Sequence, residues 1–137
     1  MKKILISLIN FFLLFGIVFR SLILNITTNL IDWADPPLGV WIMHQNISKI
    51  LELNFQNYFD TNIYYPHKGT LLFSDITLPQ VVLGFFPYLL TKNLIYSFNM
   101  IFILTFLLNF ASLYLFWKQI FKKDLIAFLG SLFFIFN

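Results

Sequence analysis

Apolar residues run almost without interruption through positions 4–25, 94–117 and 125–137, and lysines rather than mixed polar faces bound these runs. At ~1.5 Å rise per residue, about 20 residues cross a ~30 Å hydrocarbon core, so 4–25 and 94–117 are each long enough to predict a transmembrane helix. The run from Leu125 is still apolar at Asn137 after 13 residues, which predicts a third, cut helix and an amino-terminal portion of a longer protein. Lys2 and Lys3 precede the first run as in a signal peptide, but its length and the lack of an Ala-x-Ala-like site predict an uncleaved signal anchor. Lys118, Lys122 and Lys123 close the second run, and the positive-inside tendency assigns both basic ends to the cytoplasm.

Between the first two runs, residues 26–93 are expected outside the cytoplasm as one large loop. The apolar segment 78–90 is about 13 residues long and contains Pro79 and Pro87; counted as a span, it would put the three lysines outside. Its length instead predicts an interfacial or re-entrant helix. Residues 37–53 predict a helix lying on the membrane, with Gln45, Ser48, Lys49 and Glu52 on one face and Val40, Met43, Ile47, Ile50 and Leu51 on the other. Asn54 to Ser74 reads as a polar, aromatic connection with a turn near Tyr64-Tyr65-Pro66 and Lys68-Gly69. The predicted fold is an all-α membrane protein with one membrane domain over 1–137, three spans and interfacial helices in its first outer loop.

Composition supports this pattern. The 137 residues are 59% hydrophobic, 20% aromatic and 11% charged, against about 25% charged in soluble domains. A soluble domain of this size has to cover itself with polar side chains, so the apolar excess is expected to face lipid. The net charge of +3 is spread along the chain without a basic stripe, which argues against a nucleic-acid partner. With no cysteine, disulfides, thiolate nucleophiles and cysteine zinc sites are excluded.

The chemistry centres on Asp32-Trp33-Ala34-Asp35-Pro36-Pro37, just past the first span. Ionised side chains near hydrocarbon need water, a partner or a ligand. Asp32 and Asp35 are candidates for a general base, for a pair of cation ligands, or for a helix cap with a solvated neighbour, since Asp is favoured at the N-cap and Pro just inside it. Arg20 falls toward the outer end of the first span, where it can snorkel or pair with either carboxylate. His44 and His67, with Asp35, Asp60 and Asp75, match no metal-motif spacing. No cofactor is fixed by these residues; a divalent cation is the candidate, with Asp35 as its candidate ligand. Asn25-Ile26-Thr27 and Asn46-Ile47-Ser48 fit the N-glycosylation pattern. Trp33, Trp41, Tyr64, Tyr65, Tyr88, Tyr96 and Trp117 suit aromatic belts, with sugar stacking as the alternative for Trp33 and Trp41. No phosphate-binding glycine loop, nucleophile elbow or His-Glu-x-x-His occurs, so an anionic phosphate would fall to Arg20, Lys49, Lys68 or Lys92.

The order of these parts resembles the amino-terminal part of membrane glycosyltransferases of the GT-C class, the superfamily of protein O-mannosyltransferases and lipid A aminoarabinose transferases. More narrowly, it resembles a bacterial group of polytopic proteins in that class. The resemblance rests on Asp35-Pro36 with Trp41, on Phe59-Asp60-Thr61-Asn62-Ile63-Tyr64-Tyr65-Pro66, on Thr70 to Asp75, on Tyr96 with Asn99, and on Lys122-Lys123 leading into Leu125 to Phe136. It implies a bacterial inner-membrane protein that transfers a sugar from a polyprenyl-phosphate donor to an extracytoplasmic acceptor, with inversion at the sugar carbon. Asp35 matches the acidic residue that serves that class as base or cation ligand. Asp32 and Asp75 would support it, and Trp41, Tyr65, His67 and Arg20 would bind substrate. Members of the class carry more spans, which complete the donor groove. The competing reading is a complete, non-enzymatic membrane accessory or scaffold protein with a membrane protein partner. A channel or transporter subunit ranks last, because the spans offer no intramembrane carboxylate.

Overall fold

The computed structural model describes residues 2–32, 34–73 and 75–136, and these contain six α-helices and no strand. They are α1 (Lys2–Val18), α2 (Arg20–Leu24), α3 (Pro36–Leu51), α4 (Leu78–Thr91), α5 (Leu94–Phe121) and α6 (Asp124–Ile135), with a 3-10 turn at Thr70–Phe73. The expected first span is thus two helices. The interruption at Phe19 is local, because Phe19 N–H bonds the Phe15 carbonyl at 2.8 Å and Ile23 N–H bonds that of Phe19 at 3.0 Å. Contacts divide the chain into one unit of residues 1–24 with 102–137 and a second of residues 25–101.

In the first unit, aromatic packing replaces the polar-outside pattern of a soluble bundle. Phe11 and Phe15 of α1, Phe110 and Tyr114 of α5, and Ala127 of α6 form its core, with the Phe11 and Phe110 rings stacked 4.3 Å apart. Such ring pairs contribute about 0.5–1.5 kcal/mol beyond their burial. Around this core a broad apolar surface stays open, including Leu5, Ile9, Leu13, Ile17, Leu108, Leu115, Leu129 and Phe133. The α5–α6 turn is fixed by its own polar groups. Lys118 Nζ lies 2.7 Å from Asp124 Oδ1, and the Tyr114 hydroxyl donates to that oxygen at 2.8 Å. Helix α5, with 28 residues and mean hydropathy 2.0 in its most apolar window, is long and apolar enough to cross a membrane; among the described residues it is the one such helix.

The second unit is built on α3 and α4. Pro36 and Pro37 open α3, where their missing N–H groups have no helical partner to lose. It closes in a Schellman motif with Leu53 at φ 54°, Leu53 N–H bonded to the Ile50 carbonyl and Asn54 N–H to that of Lys49. The expected apolar face is shifted. Met43 and Ile47 are buried as predicted, but Ile42 and Asn46 join them and Leu51 is exposed. The reason is that α3 is covered from two directions. Met43 and Ile47 pack with Val81 of α4 and Ile101 of α5, with Phe85, Tyr88 and Phe98 around them. Close approach is allowed by Gly84, where a Cβ would lie 2.7 Å from Ile101 Cδ1 and 2.9 Å from Met43 Sδ. Toward the 54–76 segment, Asn46 Nδ2 donates to the Ile76 carbonyl at 3.1 Å, and the Tyr58 hydroxyl donates to Asn46 Oδ1.

Two further asparagines close the unit. Asn93 caps α5 by accepting the Tyr96 N–H at 2.8 Å, and its Nδ2 donates to the Thr27 carbonyl at 3.0 Å. Asn99 Nδ2 donates to the carbonyls of Ile26 and Asn29, both at 2.8 Å. The start and the end of the 25–101 unit are therefore stapled side by side.

Candidate functional site

The carboxylates come first. Asp32 is exposed, and its Oδ1 accepts the Ala34 N–H at 3.3 Å in a local turn. Asp35 is the N-cap residue of α3 but does not cap with its side chain. Its backbone is already helical (φ −79°, ψ −35°), its carbonyl accepts the Gly39 N–H at 3.1 Å, and its carboxylate makes no capping hydrogen bond. Capping by a side chain normally needs an extended backbone at that position, which explains the difference.

Because Asp35 is in helical register, Leu38, Gly39 and Ile42 follow it along one face of α3. Leu38 and Ile42 line an open cleft of about 500 Å³ with Leu72, Phe73 and Asp75. Asp75 lines the cleft; Asp35 does not, and lies one helical turn before Leu38 on the face of α3 that walls it. The cleft lies within the volume range of small-molecule sites, and its walls are apolar with a carboxylate among them. Trp41 lies six residues after Asp35, which turns it off that face, and it is half-buried elsewhere on α3.

A second cleft, of about 430 Å³, is lined by Tyr64, His67 and Phe73. Its aromatic walls, Tyr64 and Phe73, meet edge to face with centroids 6.5 Å apart. Phe73 is common to both clefts. The expected substrate-binding residue Tyr65 is 86% exposed and lines neither cleft, while its neighbour Tyr64 lines the second. Alternation of direction at the Tyr64-Tyr65-Pro66 turn, with Tyr64 at φ 58°, separates the two rings. The segment is held in shape from its base. Asp60 Oδ1 accepts the Gly69 N–H at 2.7 Å, the Thr61 and Thr70 hydroxyls are 2.7 Å apart, and Leu71 N–H bonds the Phe59 carbonyl at 2.9 Å. Asp60 is thus engaged in a loop bond.

Among the described residues no three His, Asp or Glu side chains converge as a metal would need, so the expected cation would have Asp35 without a protein cluster around it. His44 is exposed on α3 and His67 lies at the second cleft. Arg20 is exposed at the start of α2, in the other unit. Trp33 lies outside the described residues. The N-glycosylation pattern at Asn46 is ruled out by burial, since that side chain is fully enclosed and committed to three hydrogen bonds. Asn46 and Tyr58 are the residues that sequence reasoning missed. The available signal was a polar residue at i+3 from Met43 and i+4 from Ile42, on the buried side of the helix. Burial raises the Tyr58 phenol above its ordinary pKa. Comparison with family models, with curated proteins and with solved structures finds no match.

Proposed function

We propose that this chain belongs to a membrane glycosyltransferase of the GT-C type, moving a sugar from a polyprenyl-phosphate donor to an extracytoplasmic acceptor. The observation that carries the reading is Asp35. Its carboxylate is exposed, is not spent on capping α3, and heads the helical face that walls the Asp75 cleft. In this mechanism Asp35 accepts the proton of an acceptor hydroxyl while that oxygen attacks the sugar carbon. The bond to the polyprenyl phosphate breaks with its electron pair on the leaving phosphate, and the sugar carbon inverts. A cation held by Asp35 would serve instead by neutralising the leaving phosphate. Asp32 and Asp75 add negative charge around the site, and Tyr64, Phe73 and His67 offer ring faces and a hydrogen-bonding group.

Support for the membrane setting comes from α5. Only 17% of its apolar window is buried, whereas the core helix of a soluble protein is mostly buried. The lysines at both basic ends support a cytoplasmic amino terminus, and the inner-membrane location rests on the GT-C resemblance.

The test uses membranes carrying the full chain, a radiolabelled polyprenyl-phosphate sugar, and Asp35→Asn beside Asp35→Ala. Loss of transfer in both variants at normal abundance is expected, because neither side chain takes a proton and neither supplies the negative charge that would hold a cation without a surrounding cluster. Full transfer by Asp35→Asn would reject the proposal. A second reading, a non-enzymatic accessory protein, draws on Tyr65, Leu72 and Phe73, which stand 57–86% exposed on the outer segment as a partner surface would. Retained abundance and partner capture after both substitutions, with no transfer by the parent chain, would favour it.

A further inference from the structure

Helix α4 carries a continuous apolar stripe that nothing within the 25–101 unit covers. Leu78, Val82, Phe86 and Leu90 repeat every four residues and are 46–82% exposed, and Leu83 and Leu89 flank them. No residue of α4 is ionisable except Tyr88, and the first charge comes at Lys92, whose Nζ lies 5.5 Å from the Tyr88 ring centre. The opposite face, through Val81 and Gly84, is packed against α3 and α5.

We infer that α4 is an in-plane membrane anchor: its Leu78–Val82–Phe86–Leu90 stripe rests in the acyl-chain boundary of the leaflet in which α5 begins. The inference deepens the membrane reading above and rests on α5 crossing a bilayer. Three observations select lipid as the occupant and the plane as the orientation.

The asparagine staple comes first. Thr27, Ile26 and Asn29 are bonded to Asn93 and Asn99, so the chain returns to the side of the membrane from which residues 25–29 set out. Between these points it crosses the bilayer an even number of times. A lone crossing by α4 is thereby forbidden. A paired crossing by α3 and α4 fails on length and polarity. At ~1.5 Å per residue, 16 and 14 residues span about 24 and 21 Å, short of ~30 Å, and α3 would carry His44, Gln45, Ser48 and Lys49 into hydrocarbon.

Second, α4 is joined to α5 through Lys92 and Asn93 alone, so its carboxyl end lies at the depth where α5 begins. Third, the composition of the exposed face fits that depth. A stripe of large apolar side chains followed at the carboxyl end by Lys92 is what the headgroup and acyl boundary accepts. Helix α3 then lies on the water side of α4, where Lys49 and Glu52 remain solvated.

Because the chain has no cysteine, single cysteines at Leu78, Val82, Phe86, Leu90 and, as a mid-span reference, exposed Leu108 each accept one nitroxide. The full chain is reconstituted in phosphatidylcholine–phosphatidylglycerol vesicles. Depth is read from the ratio of collisions with oxygen and with a water-soluble nickel chelate. The expected result is one shallow depth for the four stripe positions, with Leu108 far deeper. A gradient of about 18 Å between positions 78 and 90 would mean a crossing helix and overturn the inference. Shielding of all four from both reagents would mean a protein cover, and free nickel access at all four would mean a helix off the membrane. Either result overturns it while leaving the α5 span intact. Water access at Leu108 would instead remove the membrane reading itself, and this inference with it.

Discussion

Replacing Asn46 with alanine isolates a side chain that ties the 54–76 segment to α3. Asn46 donates to the carbonyls of Ile42 and Ile76 at 2.9 and 3.1 Å and accepts from Tyr58. The Ile42 carbonyl keeps its helical partner, so its loss matters little. The Ile76 carbonyl and the Tyr58 hydroxyl are left without theirs. An unsatisfied buried group costs about 1–3 kcal/mol, and both residues are half-buried, so about 2–3 kcal/mol in total is expected. The assay is amide hydrogen exchange of the full chain in detergent micelles, read at Gly69 and Leu71, whose N–H groups hold the base of the loop. At ~1.4 kcal/mol per decade, their exchange should accelerate roughly 30- to 150-fold. Tyr58→Phe should produce a smaller acceleration, and the double variant should fall short of the product of the two, because both remove the same bond. Acceleration of less than about threefold in Asn46→Ala would refute the tie, showing that the 54–76 segment holds itself together through its own loop bonds.

Gly130 packs under the Trp117 indole, with a Cβ there 3.1–3.3 Å from three ring atoms. Alanine forces a shift of a few tenths of an ångström that is offset by a helix-propensity gain of up to about 1 kcal/mol, so its Tm in detergent should stay near the parent's. Gly130→Leu cannot be accommodated that way and should destabilise by about 1–3 kcal/mol with a matching fall in Tm. The raised Tyr58 pKa fixes a further sign. Its folded value lies above the ordinary 10.0, so its contribution to stability is complete below that pH and is lost as pH rises through the folded value. In an alkaline titration of tyrosinate absorbance, Tyr58 should ionise after the exposed tyrosines, and Tyr58→Phe should reduce the late part of the titration by one tyrosine of the six.

How much of this was legible in advance differs between elements and site. Although the one helix expected over 4–25 is two, the apolar runs and Pro36-Pro37 before α3 place α3, α4, α5 and α6 within a few residues of their observed bounds. These are properties of neighbouring residues, set by side-chain periodicity and by where a backbone N–H is missing. The candidate site was legible in part. Asp35 and Asp75 were visible as carboxylates, but the cleft that brings Asp75 together with Leu38 and Ile42 of α3 and with Leu72 and Phe73 was not, and Trp41 and Tyr65 lie off the clefts.

The sequence by itself determined the all-helical class, the order of the helices, the approximate lengths of all but the first two, and the apolar excess that asks for lipid. Only the tertiary structure decided that Asn46 is a buried strut, that Asp35 leaves its capping role to the backbone, and that Asn93 and Asn99 bind the chain back to residues 26–29. The longest bonds of the three asparagines reach across 30 to 73 positions. Local propensity extends over a turn or two of helix, so an asparagine that will be buried and one that will face water look alike until the segment opposite each is in place.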